Sequence, residues 1–419
     1  MTAFDRKTLL VRTGVALAAG GLGAAFSDLE EVVAAPEADR ALSWPEIRRQ
    51  FRLAPGWVHM AGLFLASHPA SVRRAIERHR RGLDANPVHY LHERGPQLEA
   101  AVLRTAGSYL AARPTDIALT DSTTMGLGLL YNGIDLRAGQ EALTTAHDFY
   151  ATHESLRLKA ERVGATVRQV PLYRNARRAT EDEIVSSLVA AVGPRTRVVA
   201  LTWVHSGTGV KLPLGRIAQA LGQRRRDLLV CVDGVHGLGV ENATASSLGC
   251  DFLVAGCHKW LFGPRGTGFV WGRSAAWEAA DATIPSFSGN ATPGAEMTPG
   301  GFHSFEHRWA LAEAFRLHLR IGKRRVEGRI RNLNRRLKSG LAGMSHVTLV
   351  TPQADALSAG LVCFSVDRMS PDAVVAALRR RRIVATVTPY SPSYARLAPG
   401  VLNTPADVYR ALRAIRSLR

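Results

Sequence analysis

The stretch VAGCHKWLFGPRGTGFVWG, Val254–Gly272, decides the fold of this chain. It contains an apolar run, a polar turn that carries Lys259, a glycine-containing loop and a second apolar run. Short apolar runs bounded by such turns are typical of strands buried in a sheet. A lysine that follows a buried strand is costly to desolvate, so Lys259 is a candidate for chemistry.

The same pattern recurs upstream of this stretch. Each copy has an apolar run, a polar turn and then a helix or turn pattern: DIALTDSTTMG, EALTTAHDFY, RVVALTWVHSG and LLVCVDGVHG. Apolar runs that alternate with helical patterns predict βαβ units. The chain is therefore predicted to have an α/β fold with a mostly parallel sheet, roughly over residues 60–290.

A Gly/Pro-rich segment, Ser286–Phe305, marks a long loop or a domain boundary. A long basic helix, about Glu306–Leu341, and several short strands follow it and predict a smaller α/β lobe. Upstream, Pro87 to Pro96 interrupts the helical pattern. We expect a tail over residues 1–40, a large domain over 41–300 and a small domain over 301–419.

The N-terminal 35 residues differ in character from the rest. A basic start is followed by a weakly apolar Gly/Ala stretch, which is the outline of an export leader. The opening resembles a twin-arginine signal, with Arg6-Lys7 in place of the arginine pair. The predicted location stays open between the cytoplasm and export.

The composition narrows the classes of function. The 419 residues are 46% hydrophobic and 21% charged, without a run of the ~20 apolar residues that a membrane span needs, so we predict a folded soluble protein. The net charge of +19 comes from dispersed arginines without interleaved aromatic residues, which argues against a nucleic-acid partner. The four cysteines have no zinc-type spacing, so buried free thiols and no metal site are expected.

Polar residues gather at the predicted strand ends, where open α/β sheets bind ligands. Neither G-x-G-x-x-G nor G-x-x-x-x-G-K-[ST] is present, which excludes ordinary dinucleotide and nucleotide-phosphate sites. Asp233 ends one apolar run, and Lys259 follows another 26 residues later. Pyridoxal phosphate (PLP) needs this pair, with a lysine for the Schiff base and a carboxylate beside the pyridine nitrogen.

The segments CVDGVHGLG and AGCHKWLFGPRGTG resemble class V aminotransferases, which are PLP enzymes of fold type I. They are most similar to the isopenicillin N epimerase-like branch, and the resemblance covers nearly all of the chain after residue 40. It implies a large domain with a seven-stranded type of sheet, PLP as cofactor and an amino-acid-type substrate. It also implies a homodimer, in which the loop Gly289–Phe305 reaches the partner's phosphate site.

The resemblance also assigns site residues. Lys259 matches the Schiff-base lysine, Asp233 the pyridine-nitrogen partner and His236 the hydrogen-bond donor to the phenolic oxygen. The remaining matches are the ring-stacking His147, the phosphate-binding Thr123, Thr124 and His258, and the arginine for the substrate carboxylate, Arg396.

Two positions depart from the family pattern. Many relatives have a serine three residues before the lysine to bind phosphate, whereas this chain has Gly256. Cysteine desulfurases have an asparagine facing the cofactor where this chain reads His205-Ser206, so Ser206 is the expected cofactor contact there. These departures favour a reaction different from that of cysteine desulfurases, or a cofactor ring with different electronic properties.

The sequence favours an epimerase-like or aminotransferase reaction at the α-carbon of an amino acid or of a small substrate that contains one. A C–S lyase, or a fold that has lost its activity and only binds, stays open as an alternative. Epimerisation needs a second base, for which His205 and Tyr150 are unranked candidates. Persulfide transfer is disfavoured, because Cys363 lies in an apolar run that reads as a buried strand.

Overall fold

The computed structural model describes residues 41–288 and 291–418, so the predicted tail and leader over residues 1–40 lie outside the described residues. The strands within the described residues are β1 (Val58–His59), β2 (Ile117–Thr120), β3 (Glu141–Thr145), β4 (Thr166–Val170), β5 (Thr196–Thr202), β6 (Leu229–Asp233), β7 (Phe252–Gly256), β8 (Gly268–Gly272), β9 (Val347–Leu349), β10 (Val362–Val366), β11 (Ile383–Val384), β12 (Thr386–Val387) and β13 (Ala395–Leu397).

The α-helices in the same residues are α1 (Trp44–Arg49), α2 (Ala70–Ala85), α3 (Pro87–Leu110), α4 (Thr123–Gly133), α5 (Tyr150–Val163), α6 (Glu181–Ala191), α7 (Leu214–Arg224), α8 (Ala245–Leu248), α9 (Pro293–Met297), α10 (Phe305–Ile321), α11 (Lys323–Ala342), α12 (Pro371–Arg380) and α13 (Pro405–Arg416). Short 3₁₀ turns occur at Pro114–Asp116, Ala176–Arg178, Ser274–Ala279 and Asp355–Leu357.

The large sheet has seven strands in the order β2-β8-β7-β6-β5-β3-β4. Its neighbours pair in parallel except at β8, which is antiparallel to both β2 and β7. Successive residues of β7 enter different apolar clusters, Leu253 one and Val254 the other, so both faces of the sheet are covered. The predicted α/β class and mostly parallel sheet are confirmed, and burial on both faces explains why the strands read as continuous apolar runs.

The small lobe is built on a four-stranded antiparallel sheet, β12-β13-β10-β9. Its apolar core runs from Leu333 to Leu418 and also includes Val58 and Met60 from the N-terminal side of the chain. β1 pairs in parallel with β11, which ties the start of the described chain to this lobe. Two lobes are therefore joined by more than one segment.

The predicted single helix over Glu306–Leu341 is wrong, because Gly322 separates α10 from α11. Gly322 has φ +90°, a backbone conformation that side-chain-bearing residues rarely adopt. Leu311 and Phe315 of α10 belong to the core of the large lobe. The division into 41–300 and 301–419 stays a proposal, and this packing places α10 with the first part.

The predicted interruption over Pro87–Pro96 is also wrong. The helical chain breaks at Asn86 instead, and α3 continues through Pro96. Pro87 occupies a first-turn position, where its missing N–H costs nothing, and the Asn86 side chain accepts a hydrogen bond from the His89 amide at 3.4 Å. Packing of α3 against α10 compensates for the internal proline.

All four cysteines are buried and free, as predicted. Among the described helices, none combines the length and apolarity that crossing a bilayer requires.

Candidate active site

The polar residues predicted at strand ends meet at one edge of the large sheet. β6 ends at Asp233, and β7 ends at Gly256, three residues before Lys259. β3 and β5 are parallel to these strands, so the turns that carry His147 and Ser206 open on the same edge. The structure brings these side chains together because parallel strands share a carboxyl-terminal edge.

Lys259 is partly buried between groups of opposite charge. Burial lowers the pKa of its ammonium to about 8; Asp233 opposes this shift and Arg396 adds to it. The amine is therefore available as a neutral nucleophile or base nearer to neutral pH than that of a surface lysine.

Asp233 is 2% exposed, and its Oδ1 accepts a hydrogen bond from the Val235 amide at 3.0 Å. Burial raises the pKa of this carboxyl to about 6, while Lys259 acts in the opposite direction. A buried carboxylate with few donors stabilises a cationic partner placed beside it.

His236 is buried, and burial together with the Lys259 charge holds its pKa well below the usual value. The ring is therefore neutral. Its Nδ1 lies 3.4 Å from Nε1 of Trp260, which can only donate a hydrogen bond. The proton of His236 consequently sits on Nε2, which makes that nitrogen a donor.

His147 stacks face to face on Tyr173, with ring centroids 4.0 Å apart and an angle of 5° between the planes. Its Nε2 is buried without a hydrogen-bond partner among the described residues. The Tyr173 hydroxyl lies 3.0 Å from His205 Nδ1 and 2.9 Å from Thr208 Oγ1. Tyr173 covers one face of His147, so a flat ligand would have to stack on the other face.

Asp148 connects the turns after β3 and β5. Its carboxylate accepts hydrogen bonds from the amides of Thr145, at 2.8 Å, and Thr202, at 2.7 Å. His205 Nε2 lies 3.8 Å from Asp148, and burial lowers the pKa of His205 to about 3. A neutral His205 is therefore held between Asp148 and Tyr173.

Thr123, Thr124 and His258 lie around the N-terminus of α4, where free amide groups favour an anion. The Thr123 hydroxyl accepts a hydrogen bond from the Gly256 amide at 2.8 Å. A Cβ atom on Gly256 would lie 2.9 Å from Thr123 Oγ1 and 3.0 Å from His258 Cε1. The space that a serine side chain would need at 256 is already filled by these two groups.

Arg396 comes from β13 in the small lobe and is 4% exposed. Its Nη1 donates to the Ser206 carbonyl at 2.7 Å, and its Nε donates to Thr386 Oγ1 at 2.9 Å. The Ser206 hydroxyl lies 2.7 Å from the hydroxyl of Tyr390. The predicted substrate-binding arginine therefore joins the edge of the large sheet from the other lobe.

Several polar residues of this site were not predicted, namely Asp148, Tyr173, Thr208, Thr386 and Tyr390. Asp148 follows His147 in a strand-end turn, which was a usable signal, whereas Tyr173 and Tyr390 lie in irregular segments. Tyr150 is 61% exposed at the start of α5. Within the loop implied for dimerisation, His303 Nδ1 lies 3.6 Å from Asp121 Oδ1.

Comparisons with known proteins show the family of this chain. A sequence model of the family Aminotransferase class-V matches residues 66–388. Isopenicillin N epimerase of Streptomyces clavuligerus is 27% identical over 397 residues, covering 90% of this chain and 98% of the relative. A cysteine desulfurase of Yersinia pestis (strain Pestoides F) is 31% identical over 212 residues, 48% of this chain and 50% of the relative.

Two solved structures show the same fold. The cystine C–S lyase C-DES, in complex with its product cysteine persulfide, has a TM-score of 0.80 at 23% identity, covering 87% of this chain and 98% of that one. The apo cysteine desulfurase of Thermococcus onnurineus NA1 has a TM-score of 0.80 at 19% identity, covering 90% and 98%.

The residues of the site fit the cofactor of this family. They supply a lysine amine, a buried carboxylate, a neutral imidazole donor, the aromatic ring of His147 and a helix N-terminus for phosphate. The chain therefore belongs to the class V aminotransferase family and is a pyridoxal phosphate-dependent enzyme of fold type I.

Proposed function

We propose that this enzyme acts at the α-carbon of an amino acid, or of a small substrate that contains one, as an epimerase-like enzyme or an aminotransferase. The observation that carries the proposal is the position of Lys259 between buried Asp233 and Arg396. Lys259 would supply the reactive amine, Asp233 would pair with a cationic ring nitrogen, and Arg396 would bind a carboxylate. Similarity to isopenicillin N epimerase over nearly the whole chain supports the epimerase-like branch.

The proposed roles follow from the environment of each residue. PLP, when bound, supplies a conjugated ring that accepts the electron pair left when a proton leaves the α-carbon. Asp233 would hold a proton on the ring nitrogen, and Nε2–H of His236 would donate to the phenolic oxygen. Lys259, with a pKa of about 8, would take and return the proton at the α-carbon.

The cofactor and substrate would be anchored at opposite ends of the site. Thr123, Thr124 and His258 would bind the phosphate at the N-terminus of α4, while His147 and Ser206 would border the ring. Arg396 would bind the substrate carboxylate, since its guanidinium suits a planar anion.

A C–S lyase is the second candidate, because β-elimination needs no thiol from the protein and C-DES has the same fold. Persulfide transfer is less well supported. Cys363 is fully buried in β10, and burial raises the pKa of its thiol to about 11. A buried thiol with so little thiolate is a poor acceptor of sulfur.

We also propose that the protein is a homodimer. Phe287 and Phe302 are 49% and 77% exposed, and their ring centroids lie 6.3 Å apart beside the loop implied for the subunit interface. Neighbouring exposed aromatic residues of this kind mark a contact surface.

The test of the proposed function is the visible absorption of the holoenzyme before and after borohydride. We expect a band that borohydride removes, and Lys259→Ala should lack it. Lys323→Ala is the matched control, because Lys323 also has a pKa near 8 through burial, yet its Nζ bonds the Tyr109 carbonyl at 2.8 Å outside the site. A reducible band that survives in Lys259→Ala would contradict the proposal.

The reaction branch would then be assigned by product. Inversion on chiral chromatography identifies an epimerase, and a keto acid formed with a second amino donor identifies an aminotransferase. Release of a keto acid and ammonia from a β-substituted amino acid identifies the lyase.

A further inference from the structure

Tyr390 lies in the loop between β12 and β13 and reaches from the small lobe to the edge of the large sheet. The loop is closed on itself, since the Thr388 amide donates to the Tyr394 carbonyl at 2.9 Å and the Tyr394 amide donates to Thr388 Oγ1 at 2.8 Å. The Tyr390 ring packs on Gly207, where a Cβ atom would lie 2.8 Å from a ring carbon. The position of the phenol is therefore set by the fold.

The hydroxyls of Tyr390 and Ser206 form a pair at 2.7 Å. Two hydroxyl groups carry two protons, and the bond between them uses one. One O–H is left to donate to a ligand or a reacting atom. The pair is thus a proton donor at a fixed place beside Ser206, whose carbonyl is bonded by Arg396.

Arg396 indicates which part of a substrate lies next to this pair. Of its five N–H groups, Nε donates to Thr386, one of Nη1 to Ser206, and one of Nη2 to the Val387 carbonyl at 3.5 Å. One N–H remains on each terminal nitrogen, which matches the two oxygens of a carboxylate. The α-carbon is one bond from the carboxylate, so a substrate held by Arg396 would place this carbon near the hydroxyl pair.

Lys259 follows β7 of the large lobe, and Tyr390 lies between β12 and β13 of the small lobe. A substrate bound by Arg396 would therefore meet the two residues from different lobes. We propose that Tyr390 is the second acid–base residue at the α-carbon, acting on the side opposite Lys259; this rests on the proposed function.

The proton transfers balance in each direction. Lys259 as a neutral amine takes the α-proton and becomes an ammonium, and the Tyr390 phenol gives its proton to the other side and becomes a phenolate. Burial raises the pKa of Tyr390 to about 12, whereas the hydrogen bond from Ser206 and the Arg396 charge act in the opposite direction and stabilise the phenolate. Because the proton leaves on one side of the α-carbon and a proton is added on the other, the configuration is inverted. Exchange with water then restores both groups, and no oxidant or reductant is consumed.

The two earlier candidates have less suitable surroundings. Tyr150 is largely exposed, and its ring contacts Phe149. His205 is fully buried, with Nδ1 bonded to Tyr173. Within the described part of the chain, neither is hydrogen-bonded to a group that also contacts Arg396.

The experiment compares the wild-type holoenzyme with Tyr390→Phe, and uses Tyr394→Phe from the same loop as the matched control. The common L-amino acids and their D-forms are incubated in D₂O, and deuterium at the α-carbon is measured apart from inversion. Binding of each amino acid is measured from the change in the visible absorption band, and folding from the melting temperature.

We expect Tyr390→Phe to keep deuterium incorporation with retained configuration, since Lys259 is intact. Inversion should fall roughly 100-fold or more, the usual loss when one general acid is removed. The affinity for the amino acid should change less than about threefold, because Arg396 still binds the carboxylate. Tyr394→Phe should match the wild type in all measurements.

If Tyr390→Phe is poorly folded, Ser206→Ala provides the same test, because it removes the hydroxyl partner and should reduce inversion more than exchange. Inversion by Tyr390→Phe within about threefold of the wild type overturns the inference, and so does a wild type that exchanges the α-hydrogen without ever inverting. Absence of a borohydride-sensitive band in the wild type overturns the proposed function itself, and is thereby distinguished from failure of this inference alone.

Discussion

At the scale of single residues, the protonation of Lys259 controls whether the site can take up its cofactor. Only the neutral amine attacks an aldehyde, and burial lowers the pKa of Lys259 to about 8 from an ordinary value of 10.5. Raising the pH deprotonates more of the lysine. The rate at which the apoenzyme acquires the borohydride-sensitive band should therefore rise with pH and level off above about pH 8.

This rate would be measured by stopped-flow absorbance at a series of pH values. Arg396→Gln serves as the comparison, because the Arg396 charge lowers the pKa of Lys259. The midpoint should move to higher pH in that variant. A midpoint near 10.5 in the wild type would show that the lysine is solvated like a surface residue.

The site residues of the large lobe could be predicted from sequence because they follow apolar runs, which mark the ends of strands. Lys259, Asp233 and His147 follow apolar runs, and the parallel order of those strands puts them on one edge. Tyr390 could not be found this way. It reaches Ser206 across 184 residues of chain, through a loop without a periodic pattern.

At the scale of elements, β7 packs closely against the N-terminus of α4 at Gly256. Gly256 stands where many relatives have serine, and the Thr123 hydroxyl and the His258 ring fill the space beside it. Restoring the serine should therefore harm phosphate binding. We expect Gly256→Ser to weaken the affinity for PLP roughly tenfold, since overpacking costs about 1–3 kcal/mol.

The affinity would be measured by titrating the apoenzyme with PLP. Gly128→Ser in α4 is the control, because a Cβ there meets no atom within 4 Å. A Gly256→Ser protein that binds PLP as tightly as the wild type would argue against steric crowding at this position.

Helix boundaries were the elements least predictable from sequence. The basic periodicity runs through Gly322 without interruption, and only the φ of +90° at that residue reveals the turn between α10 and α11. Pro96 was misread for the opposite reason, because packing of α3 against α10 maintains a helix that local preference would end. At Pro96, tertiary contacts decide what local sequence leaves undetermined.

At the scale of the whole molecule, the site depends on contacts between lobes. Ala61 forms a bridge with Ala398 near Arg396, and the Ala66 amide donates to the His258 carbonyl at 3.1 Å beside Lys259. One short segment therefore contacts the neighbours of both the carboxylate-binding arginine and the lysine. Such pairings of distant segments fix the distance between the two groups, and no periodic pattern encodes them.

The proposed dimer belongs to this scale as well. Phe302 is 77% exposed, and its ring lies 6.2 Å from that of Phe305 at the start of α10. A carboxylate at 302 would have to lose its water on association, so Phe302→Asp should shift the protein to a monomer in light scattering after size exclusion.

The same variant should lose affinity for PLP, because we expect the loop of the partner subunit to reach the phosphate. Loss of one or two hydrogen bonds to a charged group corresponds to roughly tenfold or more in the dissociation constant. Leu158→Asp is the control, since Leu158 is 48% exposed on α5 and away from this loop. A monomeric Phe302→Asp that binds PLP as tightly as the wild type would separate the subunit contact from the cofactor site. A wild-type protein that is already monomeric would remove the dimer altogether and leave each chain with a complete site of its own.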